Sequence, residues 1–174
     1  MNLVNEEIGF IHIPKTGGKS MIEFFKKNNL SYRYTLHQPI DGLWEIGYKD
    51  CFNITIVRHP YERVLSFYNF FESVRSKTLD FDEYINNIDT ISNLIKPCYE
   101  FCTVNNDFKI DMVLKLENLN QDLEMIKNKF NLSIDNFPYL NKNNQKFIDE
   151  LNLKHKNKIY KFFKKDFIKF SYEP

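Results

Sequence analysis

Two lysines, two hydroxyls and two glycines fall within six consecutive residues, Lys15-Thr16-Gly17-Gly18-Lys19-Ser20. Residues of these types, packed this closely, suit an anionic phosphate or sulfate group. Gly17 and Gly18 let the backbone approach the anion with no Cβ in the way. Lys15 and Lys19 bring positive charge, and Thr16 and Ser20 bring hydroxyl donors. A second set follows about forty residues on. Arg58 opens Arg58-His59-Pro60-Tyr61-Glu62-Arg63, and Ser66 comes two helical turns later. A guanidinium fork matches phosphate oxygens, and a converging hydroxyl completes such a clamp. Arg63 falls within reach of the same end.

Each set needs an element to aim it. The apolar run Ile8-Gly9-Phe10-Ile11-His12-Ile13 predicts a strand over 8–13, and Met21-Ile22-Glu23-Phe24-Phe25-Lys26-Lys27 reads as a helix over about 19–28. A strand–turn–helix junction points bare N–H groups and a helix N-terminus at one spot, which favours an anion. Residues 52–57 predict a second strand. Pro60 suits the first turn of a helix over about 60–75. Asp80 or Asp82 caps a helical region over about 81–96, stopped by Pro97. A strand over 110–116, a helix near 118–130 and a final helix over about 143–165 complete the chain. Strands alternating with helices predict an α/β fold around a parallel sheet, with ligands beyond the carboxyl ends of the strands. Lys15 and Arg58 both come just past strand ends.

These segments resemble a known family. His12-Ile13-Pro14-Lys15-Thr16-Gly17-Gly18-Lys19-Ser20 is similar to the 5′-phosphosulfate-binding loop of sulfotransferases, and the segment from Val57 to Phe71 resembles their 3′-phosphate-binding segment. The likeness continues through Ile110–Leu119 and Phe162–Tyr172, so it spans nearly the whole chain. It is closest to the carbohydrate branch that includes heparan sulfate 2-O-sulfotransferases and their short bacterial and viral relatives. Two positions depart from the family pattern: Lys19, where Thr is usual, and His59, where Asp or Asn is usual.

The resemblance implies a single sulfotransferase domain over 1–174, with a P-loop-like three-layer fold whose central parallel sheet is flanked by helices. It implies 3′-phosphoadenosine 5′-phosphosulfate (PAPS) as donor and 3′-phosphoadenosine 5′-phosphate (PAP) as product. Lys15 would neutralise charge on the bridging oxygen. Thr16, Gly17, Gly18, Lys19 and Ser20 would hold the 5′ phosphate, and Arg58 with Ser66 the 3′ phosphate. No metal is called for, because cationic side chains can take the place that Mg²⁺ fills in phosphoryl transfer. The acceptor would be a hydroxyl on a glycan or glycoside. A general base must take its proton. His37, in a loop-like stretch before the second strand, is the first candidate, with Glu23 and Glu45 in reserve. His12 reads as a structural residue of a buried strand, His155 as a solvated helix residue, and Trp44 as either a sugar platform or core.

A competing class is a P-loop phosphotransferase, since Gly18-Lys19-Ser20 matches the end of its signature. That signature needs a glycine at position 13, which is Ile13. A nucleotide- or glycan-binding module without activity is the third reading. Magnesium dependence separates the first alternative, and sulfate transfer the second.

Composition fits a compact enzyme. A chain of 174 residues suits one domain, and 17 Phe with 10 Tyr predict an aromatic core. A formal net charge of +1 argues against nucleic acid or another polyanion bound by bulk charge. Lys154–Lys169 reads as an amphipathic terminal helix with a solvated lysine face. The leading residues include Glu6 and Glu7 and resemble no signal peptide, and no run of about 18 apolar residues predicts a membrane span. The expected setting is the cytoplasm, with Cys51, Cys98 and Cys102 as reduced thiols. Oligomeric state is not legible.

Overall fold

The computed structural model describes residues 7–45, 47, 49–74, 80–132 and 148–174. These residues fall into two compact units. The first takes the described residues of Met1–Val57 and Glu100–Lys142, and the second those of Arg58–Tyr99 and Asn143–Pro174.

The first unit is an α/β layer built on a parallel sheet. Its strands are β1 (Ile8–His12), β2 (Tyr32–Leu36), β3 (Phe52–Val57) and, after a short hairpin of β4 (Thr103–Val104) and β5 (Asp107–Phe108), β6 (Met112–Lys115). The sheet order is β2-β1-β3-β6, with every neighbouring pair parallel. Burial on both faces explains why β1 reads as an unbroken apolar run, with all five residues buried. Helices α1 (Gly18–Lys27) and α6 (Leu119–Phe130) cover one face. Phe10, Ile54, Ile56 and Leu114 from the strands pack there with Met21, Phe24 and Phe25 of α1 and Leu123 and Ile126 of α6. On the other face Gly9 comes close to Leu43 of α2 (Asp41–Glu45).

The second unit is helical. Helix α3 (Pro60–Val74) packs on α7 (Leu153–Lys169), as does α4 (Phe81–Asn86), and α5 (Cys98–Phe101) begins in this unit. His59 starts α3. Its Nδ1 accepts the Tyr61 N–H at 3.3 Å and its Nε2–H donates to the Glu173 carbonyl at 3.0 Å. The imidazole thus performs the N-capping task that Asp or Asn does elsewhere, which accounts for one of the two family departures.

Four expectations need correction. The stretch before the second predicted strand is itself the edge strand β2. Residues 81–96 do not form one helix: Asp80 caps α4 by accepting the Glu83 N–H at 2.8 Å, and a separate 3-10 turn, Asn93–Ile95, starts at Ser92. Between them Asn87 is the C-cap of α4, with its N–H and its side-chain amide both on the Glu83 carbonyl. The last helix starts at Leu153 because Asn152 caps it through the His155 N–H at 2.9 Å; residues 143–147 of the expected span lie outside the described residues. His155 itself is buried, with Nε2 on Asp82, not solvated.

Candidate functional site

The first unit brings the phosphate-type loop and the proposed base to one end of β1. Side chains of both neighbouring strands pin that end. The Thr55 hydroxyl of β3 donates to the Ile11 carbonyl at 2.9 Å, and the Thr35 hydroxyl of β2 accepts the His12 N–H at 3.1 Å. With β1 fixed, the chain turns sharply through Pro14–Gly17 into α1. Lys15 is left-handed at φ 66°, a conformation that costs a non-glycine residue energy. Gly17 stands at φ 88° and precedes the first residue of α1, where a Cβ would also meet Leu116. The Ser20 and Met21 N–H groups both return to the Gly17 carbonyl. The Gly18 and Lys19 N–H groups have no backbone acceptor among the described residues, as expected of the first donors of a helix.

The Thr16 hydroxyl is fully buried and donates to the Ile13 carbonyl at 2.9 Å. Its proton therefore closes the loop. Ser20 is buried on the first turn of α1, Lys15 is half-buried, and Lys19 is exposed.

His37 follows β2 at φ 61°, and its Nδ1 is 3.2 Å from the His12 carbonyl oxygen. A carbonyl can only accept, so Nδ1 carries a proton. In the neutral ring this tautomer puts the lone pair on Nε2, the form that a base needs. Its ring centroid is 4.5 Å from that of His12. The reserve bases are elsewhere: Glu23 is half-buried one turn along α1 from Ser20, and Glu45 is exposed at the end of α2. Trp44, on α2, is half-buried under the Lys49 ammonium, 5.5 Å from the ring centroid.

His12 is buried at the last step of β1, as its place in the apolar run predicts. It is 6% exposed, stacks on Phe10 at 5.9 Å, and lays the Cδ2–Nε2 edge of its ring against Gly18, where any Cβ would overlap it. Burial, then the His37 and Lys19 charges, pull its pKa down to about 4.

In the second unit, Arg58 is buried with Nε 3.2 Å from Glu62 one helical turn away, and Ser66 is nearly buried on α3. Arg63, expected within reach of the same end, is a structural cation. It is fully buried and donates to the carbonyls of Lys96 at 2.8 Å and Leu94 at 3.3 Å.

A family model described as the sulfotransferase family matches residues 4–173. The chain belongs to the sulfotransferase family. That membership carries sulfuryl transfer as its class of activity. No curated protein matches the chain. In this sulfotransferase the fold that the family implies is present, an α/β unit with a parallel four-stranded sheet flanked by helices. Cys51, Cys98 and Cys102 are free thiols. Among the described residues no helix is long and apolar enough to cross a membrane, and no three metal-ligating side chains converge.

Proposed function

We propose that this protein transfers a sulfuryl group from PAPS to a hydroxyl of a carbohydrate acceptor, glycan or glycoside, as in the heparan sulfate 2-O-sulfotransferase-like branch. The loop from Lys15 to Ser20 takes the 5′-phosphosulfate, and Arg58 with Ser66 takes the 3′ phosphate. The acceptor oxygen attacks sulfur in line as the bond from sulfur to the 5′-phosphate oxygen breaks. The acceptor proton passes to His37 Nε2, and PAP leaves with the bridging oxygen as part of its 5′ phosphate. Charge grows on that oxygen in the transition state, so a lysine there lowers the barrier more than it tightens ground-state binding. Lys15 fills this role.

One observation carries the reading. His37 donates through Nδ1 to the carbonyl of His12, and His12 in turn abuts Gly18 of the anion loop. A base with an available lone pair and a set of anion donors therefore share one strand end. The reading treats 1–174 as one functional domain acting in the cytoplasm.

Its test needs no acceptor. Adenosine 3′,5′-bisphosphate and AMP differ by the 3′ phosphate alone. A desolvated arginine–phosphate pair with a hydroxyl is worth roughly 2–4 kcal/mol, or about 30- to 1,000-fold in affinity. Calorimetric titration of both nucleotides, with and without Mg²⁺, is expected to show that preference, to keep it under chelation and to lose most of it in Arg58→Ala. Equal affinities, or tight binding of Mg²⁺-ATP alone, would move the assignment to the phosphotransferase class.

A further inference from the structure

His12 has a polar demand that the fold does not meet. Its Nδ1 is buried and has no hydrogen-bond partner among the described residues. Its Nε2 makes no hydrogen bond to a described residue either, yet it lies on the ring edge against Gly18, the first residue of α1. A neutral imidazole has a single ring proton to place. On Nδ1 it would be a buried orphan donor, and such groups are rarer in folded proteins than under-satisfied acceptors. On Nε2 it faces the start of α1, where the Gly18 and Lys19 N–H groups are already open to an anion. The ring has no freedom to turn elsewhere. Phe10 stacks on one side with only 19° between the planes, His37 closes in at 4.5 Å, and Gly18 has no side chain to hold the ring off.

We propose that His12 is a further donor-binding residue, a neutral imidazole whose Nε2–H donates to the 5′-phosphate oxygens of the nucleotide held at the start of α1. The proposal rests on the sulfotransferase reading above and adds to it a contact from the strand side of the loop. Charge at the loop is already supplied by Lys15 and Lys19, and a third cation next to them would be opposed by both. The imidazole's low pKa, about 4, keeps it uncharged near neutrality. What it adds is direction. A ring clamped on three sides loses almost no freedom when it donates, whereas lysine must be ordered to do so.

The test compares His12→Phe with wild type against two ligands, adenosine 3′,5′-bisphosphate and adenosine 3′-monophosphate. Phenylalanine keeps the ring packing on Phe10 and Gly18 and removes the donor. The expected result is a loss of about 10- to 100-fold in affinity for the bisphosphate, from one hydrogen bond to a charged group, with affinity for the 3′-monophosphate unchanged. An unchanged bisphosphate affinity, or an equal loss for both ligands, would overturn the proposal. If wild type does not prefer the bisphosphate over AMP, the sulfotransferase reading itself fails, an outcome distinct from the failure of His12. Nitrogen-15 NMR of the wild-type imidazole provides a check that does not require the variant to fold. Nε2 is expected to carry the proton and to shift on adding the bisphosphate but not the 3′-monophosphate. A proton on Nδ1, or no such shift, would refute the assignment.

Discussion

Two of the places where this protein buries polar side chains do so in opposite ways. In the second unit, Arg63 is fully buried, donates to two carbonyls, and has aromatic neighbours in Phe67 at 5.4 Å and Phe163 at 5.9 Å. Asp166, 1% exposed, accepts the backbone N–H groups of Cys98 at 2.7 Å and Tyr99 at 2.8 Å. Burial raises its pKa, while the Arg63 charge and these two donors pull the other way. At the end of β1, by contrast, His12 Nδ1 has no partner among the described residues, and Lys15 and His37 both adopt positive φ. A satisfied network staples a fold. An unpartnered buried nitrogen beside strained backbone marks the place where a fold is completed by something else.

The largest expected effect probes the strained end. His37→Ala removes the proposed base and is expected to lower turnover by about 10²- to 10⁴-fold, with nucleotide affinity kept within a few-fold. Steady-state kinetics beside calorimetry would separate the two, and a loss confined to nucleotide binding would transfer the base role to Glu23 or Glu45. Next in size is the satisfied cluster. Arg63→Met strips two carbonyls of their donor and leaves Asp166 without its favourable charge, at a cost of about 3–5 kcal/mol. Chemical denaturation would measure this, and a variant as stable as wild type would show that the cluster is not a staple.

The smallest effect is a matter of pH. Folding lowers the His12 pKa from its ordinary 6.5 to about 4, so the unfolded chain binds the proton more readily. The sign follows: this contribution to stability is complete above about 6.5 and is lost as pH falls toward 4, by up to about 3 kcal/mol. The wild-type curve minus that of His12→Phe is expected to show this loss in that window. A flat difference would mean that His12 is not held neutral by the fold.

How much of this was readable depends on how local the cause is. The anion loop, the start of α3 at Pro60 and the strand β3 all follow from neighbouring residues: glycines that permit a turn, a proline at a helix start, an apolar run. Strand β2 was missed because Tyr32-Arg33-Tyr34-Thr35-Leu36 forms an edge of the sheet, with Thr35 alone buried. The alternating Tyr32, Tyr34 and Leu36 carry strand propensity, but the pairing with β1 that makes the segment a strand is a long-range fact. The division of residues 81–96 came from Asn87 and Ser92 acting as cap residues inside the span, which propensity does not reveal.

The sequence by itself determined the chemistry that is possible: an anion loop between a strand and a helix, an arginine after β3, and a histidine some twenty residues beyond the loop lysine. It determined the family as well, because those motifs are contiguous and local geometry dictates their use. Tertiary structure alone decided which residues share a site. The parallel pairing of β2 with β1 carries His37 to the carbonyl of His12, fixes its tautomer and presses His12 on Gly18. It also gave the Thr16 hydroxyl and the Arg63 guanidinium carbonyl partners within the protein. The physical reason is that a side chain's role is set by which partners reach it first, and those partners come from distant parts of the chain.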